Sequence, residues 1–310
     1  DLILGFLYLK TEGIGSDYRD IYPEFLPKKR LKVGTFKIES TGFRLGERFI
    51  KIIFDNAIER KVDEIYVTLF EDREELKALG SLLRRWGFFD YGVKKTGEKE
   101  EKVLVKRMNS YDVSLSIKKN YPNIDYSVGK RILPIYPKYH TTLLPDSQLR
   151  TERDVDFIDN VAHRYALQKV YVTWGMKAGV KAGDIVVFYR MGESYPKKYS
   201  SVMTTIGVID EIVNTFVDKE DYMSYCENRS VFAREELEQF WNQHRANLCV
   251  VKFIYITSFV NKLNLGYLWE QHIIEAPNGP RPFDRLTDAQ FEQIVRDSKT
   301  KLYRNGEINE

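Results

Sequence analysis

A chain of 310 residues is about twice a typical single domain, so two domains are expected. Its 43% hydrophobic, 30% charged and 14% aromatic residues supply a sizeable core and exclude a disordered chain. The net charge of +3 neither demands nor excludes a nucleic-acid partner, no run nears the roughly 18 apolar residues of a membrane span, and the two cysteines, Cys226 and Cys249, lack the spacing of a disulfide framework or a structural zinc site.

The expected compartment is a reducing cytoplasm, with no membrane partner, and the opening does not read as a signal peptide. Asp1 runs without a Met into the apolar Leu2-Ile3-Leu4-Gly5-Phe6-Leu7, so a piece of a longer protein is expected, with a region missing before Asp1. Leu2 to Lys10 reads as a strand, followed by a polar loop with Gly13 and Gly15. Arg30 to Glu39 reads as a second strand, with Leu31, Val33, Thr35 and Lys37 on one face. After a turn holding Gly42 and Gly46, the positions Phe49, Ile50, Ile53, Phe54, Ala57 and Ile58 recur at helical spacing to about Arg60. Asp63 to Phe70 reads as a buried strand, Glu74 to Trp86 as a helix closed by Gly87, and Glu101 to Arg107 as a last strand.

A boundary falls near residues 109–120, giving a first domain over 1–110, a proline-containing connector over 111–150 and a second domain over 151–310. These three segments carry net charges of +3, +3 and −3. The connector stretch Leu133-Pro134-Ile135-Tyr136-Pro137 is expected to be extended and irregular, because proline lacks the ladder donor. Beyond it, Phe157 to Leu167 reads as a short helix. Strands follow at Lys169–Trp174, Ile185–Arg190, Val202–Ile212 and Leu248–Phe259, with helices over Ala233–His244 and, capped by Leu286-Thr287-Asp288, over Ala289–Asp297. Mixed strands with few helices point to a small closed or half-open barrel, making the whole chain α+β.

Where the second strand, the glycine turn and the first helix meet, backbone N–H groups can hold a phosphate. The order of elements around that turn resembles the C-terminal two-thirds of a GNAT-superfamily N-acetyltransferase. Lys32–Ser40 corresponds to the family's fourth strand, and Thr41-Gly42-Phe43-Arg44-Leu45-Gly46 occupies its pyrophosphate loop. Ile65–Phe70 corresponds to the fifth strand, and Arg84-Arg85-Trp86-Gly87-Phe88 to the end of the following helix. The resemblance implies a mixed sheet with helices, acetyl-CoA as cofactor with no metal, and CoA contacts from Ile38, Gly42, Arg44, Leu45, Gly46, Glu47 and Arg48. Thr41 and Arg44 depart from the family's loop, and Leu83 stands where many members carry the tyrosine that protonates the leaving thiolate. Tyr66 and Tyr91 are the replacement acids to consider, and Glu39, at the strand end, is the candidate base for the attacking amine.

In the second domain, Lys181-Ala182-Gly183-Asp184-Ile185 through Phe188-Tyr189-Arg190, followed by Ile206-Gly207-Val208-Ile209, resembles the PUA-like group that includes ASCH and EVE domains. That resemblance implies a PUA-like β-barrel reading RNA, modified bases or nucleotides. Trp174, Tyr189, Tyr199 and Trp269 are the aromatic candidates for stacking a base, worth about 1–3 kcal/mol each where it occurs. Lys177, Lys181 and Arg190 are the candidates for phosphates. The four histidines, His140, His163, His244 and His272, show no metal spacing.

The expected function is therefore an acetyl-CoA-dependent N-acetyltransferase domain, with an unknown amine acceptor, coupled to a nucleic-acid- or nucleotide-binding domain. The alternative is a degenerate GNAT scaffold carrying an RNA or modified-base reader without catalysis. A third expectation is the C-terminal part of a larger stress or toxin–antitoxin type protein.

Overall fold

The computed structural model describes residues 5–38, 45–149, 152, 162–227 and 229–308. They form two compact units, one made by the chain up to Ile124 with the segment from Tyr303, the other by Asp125–Leu302. Among the described residues no helix is long and apolar enough to cross a membrane.

The first unit runs β1 (Gly5–Glu12), β2 (Ile21–Tyr22), β3 (Arg30–Ile38), α1 (Leu45–Glu59), β4 (Glu64–Leu69), α2 (Glu74–Arg85), β5 (Phe89–Thr96), β6 (Lys99–Arg107), α3 (Ile117–Asn120) and β7 (Asn123–Ile124). Six strands make one sheet in the order β1-β3-β4-β6-β5-β2, in which only β3 and β4 run parallel. The helical periodicity of α1 buries Ile50, Ile53, Phe54 and Ala57 completely, and the helix lies against β1 and β3. Phe54 gathers Trp86, Phe88 and Tyr121 around its ring, with centroids 4.8–6.4 Å away. The other face of the sheet packs Tyr66, Val103 and Val105 under Tyr18, Ile21 and Phe25 from the β1–β3 connection. Gly87 ends α2 at φ +85°, the left-handed conformation expected of a helix-terminating glycine.

β5 is absent from the sequence-based reading because its burial is shallow and its alternation weak. Its Gly92 is needed for a backbone approach: a Cβ there would sit 2.0 Å from the Tyr22 carbonyl oxygen of β2.

The second unit runs β8 (Lys130–Ile135), α4 (Pro137–Leu143), β9 (Gln168–Trp174), β10 (Ile185–Arg190), α5 (Lys197–Ser200), β11 (Val202–Val213), α6 (Lys219–Cys226), α7 (Arg234–His244), β12 (Leu248–Ser258), α8 (Leu265–Glu270), β13 (Asp284–Leu286) and α9 (Asp288–Asp297). The chain then returns to the first unit with β14 (Tyr303–Arg304) and β15 (Glu307–Ile308), which join β7 in a small sheet. Thr287 caps α9 in a capping box with Gln290, as the sequence leads one to expect. The helix expected over Phe157–Leu167 lies mostly outside the described residues; its described part is a single 3-10 turn, Ala162–Tyr165.

Two expectations change here. The stretch read as an irregular connector supplies a strand and a helix: β8 pairs with β10 on one side and β13 on the other. Pro134 is tolerated because β13 covers only Lys130, Arg131 and Ile132, leaving β8 without a second neighbour at the proline. The six-stranded sheet, ordered β13-β8-β10-β11-β12-β9, also does not close into a barrel among the described residues. Its two edges meet instead through side chains: the Tyr171 ring of β9 sits edge-on to Phe283, 6.4 Å away, and Lys177 is ion-paired with Asp284 of β13. The fold is thus mixed α+β, with open mixed sheets.

Candidate functional site

The parallel pair β3/β4 is in register from Arg30↔Glu64 to Val33↔Val67, and there the pairing stops. Both strands continue: β3 stays hydrogen-bonded to β1 as far as Ile38, and β4 to β6 as far as Leu69. Among the described residues the sheet is therefore split down the middle beyond Val33 and Val67, leaving main-chain donors and acceptors on its inner edges. Such edges are a ready template for an extended, amide-containing molecule. The end of β3 feeds, through residues 39–44, into the N-terminus of α1, whose first turn holds Gly46 and Glu47.

Of the residues expected to serve acetyl transfer, Glu39, Gly42 and Arg44 lie outside the described residues. Ile38 ends β3, and Leu45, Gly46, Glu47 and Arg48 form the first turn of α1. Tyr66 is 2% exposed, and its hydroxyl donates to Glu12 Oε2 at 2.7 Å. Burial, reinforced by the Glu12 carboxylate, pushes its phenol well above the usual tyrosine range. The Tyr91 ring lies tilted against Phe25 at 4.8 Å, and its hydroxyl donates to the Glu24 carbonyl at 3.0 Å. Leu83 is buried in the core. Both tyrosine hydroxyls are thus committed to protein acceptors, and neither stands free at the split.

On the same face as Tyr66, Arg30 is buried. Its guanidinium bonds Glu64 at 2.9 Å and lies 4.0 Å over the Phe25 ring. The sequence offered no signal for this pair beyond two charged residues beginning neighbouring strands.

In the second unit the sheet's register sends the candidate residues to opposite ends. Trp174 closes β9 at the end where β8 and β10 begin, and Lys177 and Lys181 lie in the loop that follows it. Trp174 is 46% exposed, stacked on His244 at 4.2 Å and tilted against Phe240 at 5.2 Å, so one of its faces is backed by protein. Tyr189, Arg190 and Tyr199 belong to the opposite end, where β10 finishes. Tyr189 is buried, which raises its phenol pKa, and Arg190 is buried in ion pairs with Glu152 at 2.9 Å and Glu193 at 3.1 Å. Tyr199 is exposed, with the Lys198 ammonium 4.8 Å from its ring. Trp269 donates its indole N–H to the Asn278 carbonyl.

Behind Arg190 lies a buried polar network that no motif announced. His140 is fully buried, with Nε2 2.8 Å from Thr204 Oγ1 and Nδ1 3.4 Å from Thr141 Oγ1. Thr141 donates to Glu152 Oε2 at 2.8 Å. Ser147 joins Thr205 at 2.5 Å and Ser258 at 2.6 Å. Burial, then the Arg190 and Lys262 charges, push the His140 imidazole down to about 3, so the ring is neutral at physiological pH. Among the described residues no group of three or more His, Cys, Asp or Glu side chains is placed to hold a metal ion.

Where β8 and β10 begin, a cleft of about 420 Å3 opens between Gly129, Arg131, Gly179, Lys181, Asp184 and Arg285. Arg131 is braced there by Asp184, at 3.3 Å, and by the Gly179 carbonyl, at 2.7 Å.

No family model matches the chain, and no curated protein matches it. Among solved structures it is similar to a crystal structure of a mutant of the ASCH protein ZmASCH from Zymomonas mobilis. That likeness has 11% identity and a TM-score of 0.37, and covers 54% of this chain and 94% of that one. It is also similar to a chain of the crystal structure of the NatC complex bound to Gag peptide and CoA. There the identity is 19% and the TM-score 0.25, over 33% of this chain and 59% of that one. Both likenesses are weak.

Proposed function

We propose that the first unit is an acetyl-CoA-dependent N-acetyltransferase module, joined to a second unit of PUA-like type that binds nucleic acid or nucleotides. The observation that carries the transferase reading is the split of the β3/β4 pair beyond Val33 and Val67. It coincides with the strand, loop and helix that resemble the GNAT pyrophosphate loop. In this reading the pantetheine arm lies along the free inner edge of β3, satisfying main-chain groups that have lost their neighbour. The diphosphate sits at the start of α1, where backbone N–H groups and the helix dipole favour an anion.

Acetyl-CoA supplies the thioester; the protein's task is to align an amine with it and take the amine's proton. Glu39 is our candidate for that base. With the Tyr66 and Tyr91 hydroxyls engaged by Glu12 and Glu24, the departing thiolate takes its proton from water.

Calorimetric titration with acetyl-CoA and CoA tests the reading: micromolar binding is expected, and no heat at millimolar ligand would refute it. Gly46→Glu places a carboxylate in the first turn of α1 and is expected to abolish binding; unchanged affinity would reject the loop assignment.

A second reading, in which the first unit is a scaffold without catalysis, draws on the same two hydroxyls and on buried Leu83. It is distinguished by CoA binding that persists without acetyl transfer to any amine in a panel of polyamines, peptides and aminoacylated RNA.

A further inference from the structure

The cleft where β8 and β10 begin has a charge arrangement that folding alone does not account for. β13 and β8 pair with Arg285 directly opposite Arg131. Residues so placed have Cβ atoms about 4.5–5.5 Å apart, and like charges there repel. Lys181 adds a third cation to the same cleft. Against these three stands one carboxylate, Asp184, which is fully buried. Its Oδ2 contacts Arg131 Nε at 3.3 Å and the Lys181 backbone N–H at 3.3 Å, while its Oδ1 has no hydrogen-bond partner. Among the described residues, neither the Lys181 ammonium nor the Arg285 guanidinium makes a hydrogen bond or ion pair; the carboxylate that feels the Arg285 charge, Asp288, is itself paired with Lys130 at 2.7 Å. The neighbouring Lys177 is already neutralised by Asp284. Three cations and one carboxylate leave the cleft two positive charges in excess.

We propose that this cleft binds the phosphomonoester of a nucleotide, carried at the 5′ end of a nucleic-acid strand. The inference rests on the reading of the second unit as a nucleic-acid or nucleotide binder. A phosphomonoester carries close to two negative charges at neutral pH and three acceptor oxygens, which balances the excess; an internal phosphodiester supplies half of it. Arg131, held by Asp184 and by the Gly179 carbonyl, presents a fixed guanidinium edge, and Arg285 and Lys181 approach the same anion from β13 and from the loop. The strand, rather than a free nucleotide, is favoured by Trp174. It lies three residues before Lys177, at most ~11 Å along the chain, and Lys177 is tied to Asp284, the neighbour of Arg285. A half-exposed indole within that reach offers a stacking surface for a base near the bound end.

Fluorescence anisotropy on the full chain tests this with a short 3′-labelled oligoribonucleotide bearing either a 5′-monophosphate or a 5′-hydroxyl. The phosphorylated strand is expected to bind about tenfold more tightly. Arg285→Ala and Lys181→Ala, which break no hydrogen bond within the protein, are each expected to remove most of that advantage. The advantage is also expected to shrink below pH ~6, where the phosphomonoester loses its second charge.

Equal affinity for the two strands overturns the proposal. So does an advantage that survives in the Lys181→Ala/Arg285→Ala double variant. If both strands bind equally and Trp174→Ala weakens both, nucleic-acid binding stands and the end-recognition site falls. If neither binds, both readings fall. Displacement of the phosphorylated strand by adenosine 5′-monophosphate at an affinity matching the strand's own supports the phosphomonoester site and assigns it to the free nucleotide.

Discussion

His140 makes the stability of the second unit sensitive to acid, and the size of the effect follows from its surroundings. The ring is fully buried against Thr204 and Thr141, with the Arg190 and Lys262 charges acting on it, and its pKa is pushed down to about 3. In an unfolded chain the same imidazole titrates near 6.5. Between these values the unfolded state holds a proton that the native state does not, so stability rises with pH across this window and falls as pH drops below about 6.5. Lowering pH from 7.5 to 4.5 spans about two units of that window and costs on the order of 3 kcal/mol. Urea unfolding at both pH values, for wild type and His140→Gln, isolates this contribution, because carboxylates elsewhere titrate alike in both proteins. The wild type is expected to lose about 2–3 kcal/mol more than the variant on acidification. Parallel losses in the two proteins would refute the assignment of a depressed, buried imidazole.

Other expectations follow from the same physics. Lys106 is buried, its ammonium donating to the Lys119 carbonyl at 2.5 Å, and desolvation brings that ammonium down to about 7; the native state therefore releases its proton first, and stability of the first unit should rise between pH 7 and 10 in wild type but stay flat in Lys106→Met, as read by thermal unfolding. Phe54→Ala removes the ring around which Trp86, Phe88 and Tyr121 gather and should cost about 3–5 kcal/mol by denaturant unfolding. Trp174→Ala should weaken single-stranded RNA binding by about 1–3 kcal/mol in anisotropy titrations with little change in unfolding midpoint, since the indole is half exposed.

What the sequence disclosed was whatever periodicity and punctuation encode. The α1 stripe of Ile50, Ile53, Phe54 and Ala57, the Gly87 terminator and the Thr287 cap are local signals, and each element they define formed within a residue or two of expectation. β8 was hidden because Pro134 reads as a breaker, and only the partial coverage by β13 makes a proline acceptable there. Closure into a barrel was expected from strand count, yet closure depends on edge geometry, and here the edges meet through Tyr171, Phe283, Lys177 and Asp284 instead of a ladder. The cross-strand Arg131/Arg285 pair and the His140–Thr204 contact were invisible for a related reason: their partners are 154 and 64 positions apart, and only the register brings them together.

The two candidate sites of the first unit also separate physically. The split between β3 and β4 is made of main chain, and it depends on strands anchored on their outer sides by β1 and β6; no side chain is required for it. Proton transfer, by contrast, needs a free titratable group at the split, and the hydroxyls of Tyr66 and Tyr91 are spent on Glu12 and Glu24. Cofactor binding and catalysis can therefore diverge in this fold without altering its sheet. Glu12→Gln discriminates the two. It removes the carboxylate that holds the Tyr66 phenol and brings the phenol's pKa down, while leaving every β3/β4 hydrogen bond in place. If Tyr66 takes part in transfer, the pH profile of acetylation should shift with CoA affinity unchanged; an unmoved profile makes Tyr66 a packing residue and leaves proton transfer to Glu39 and water.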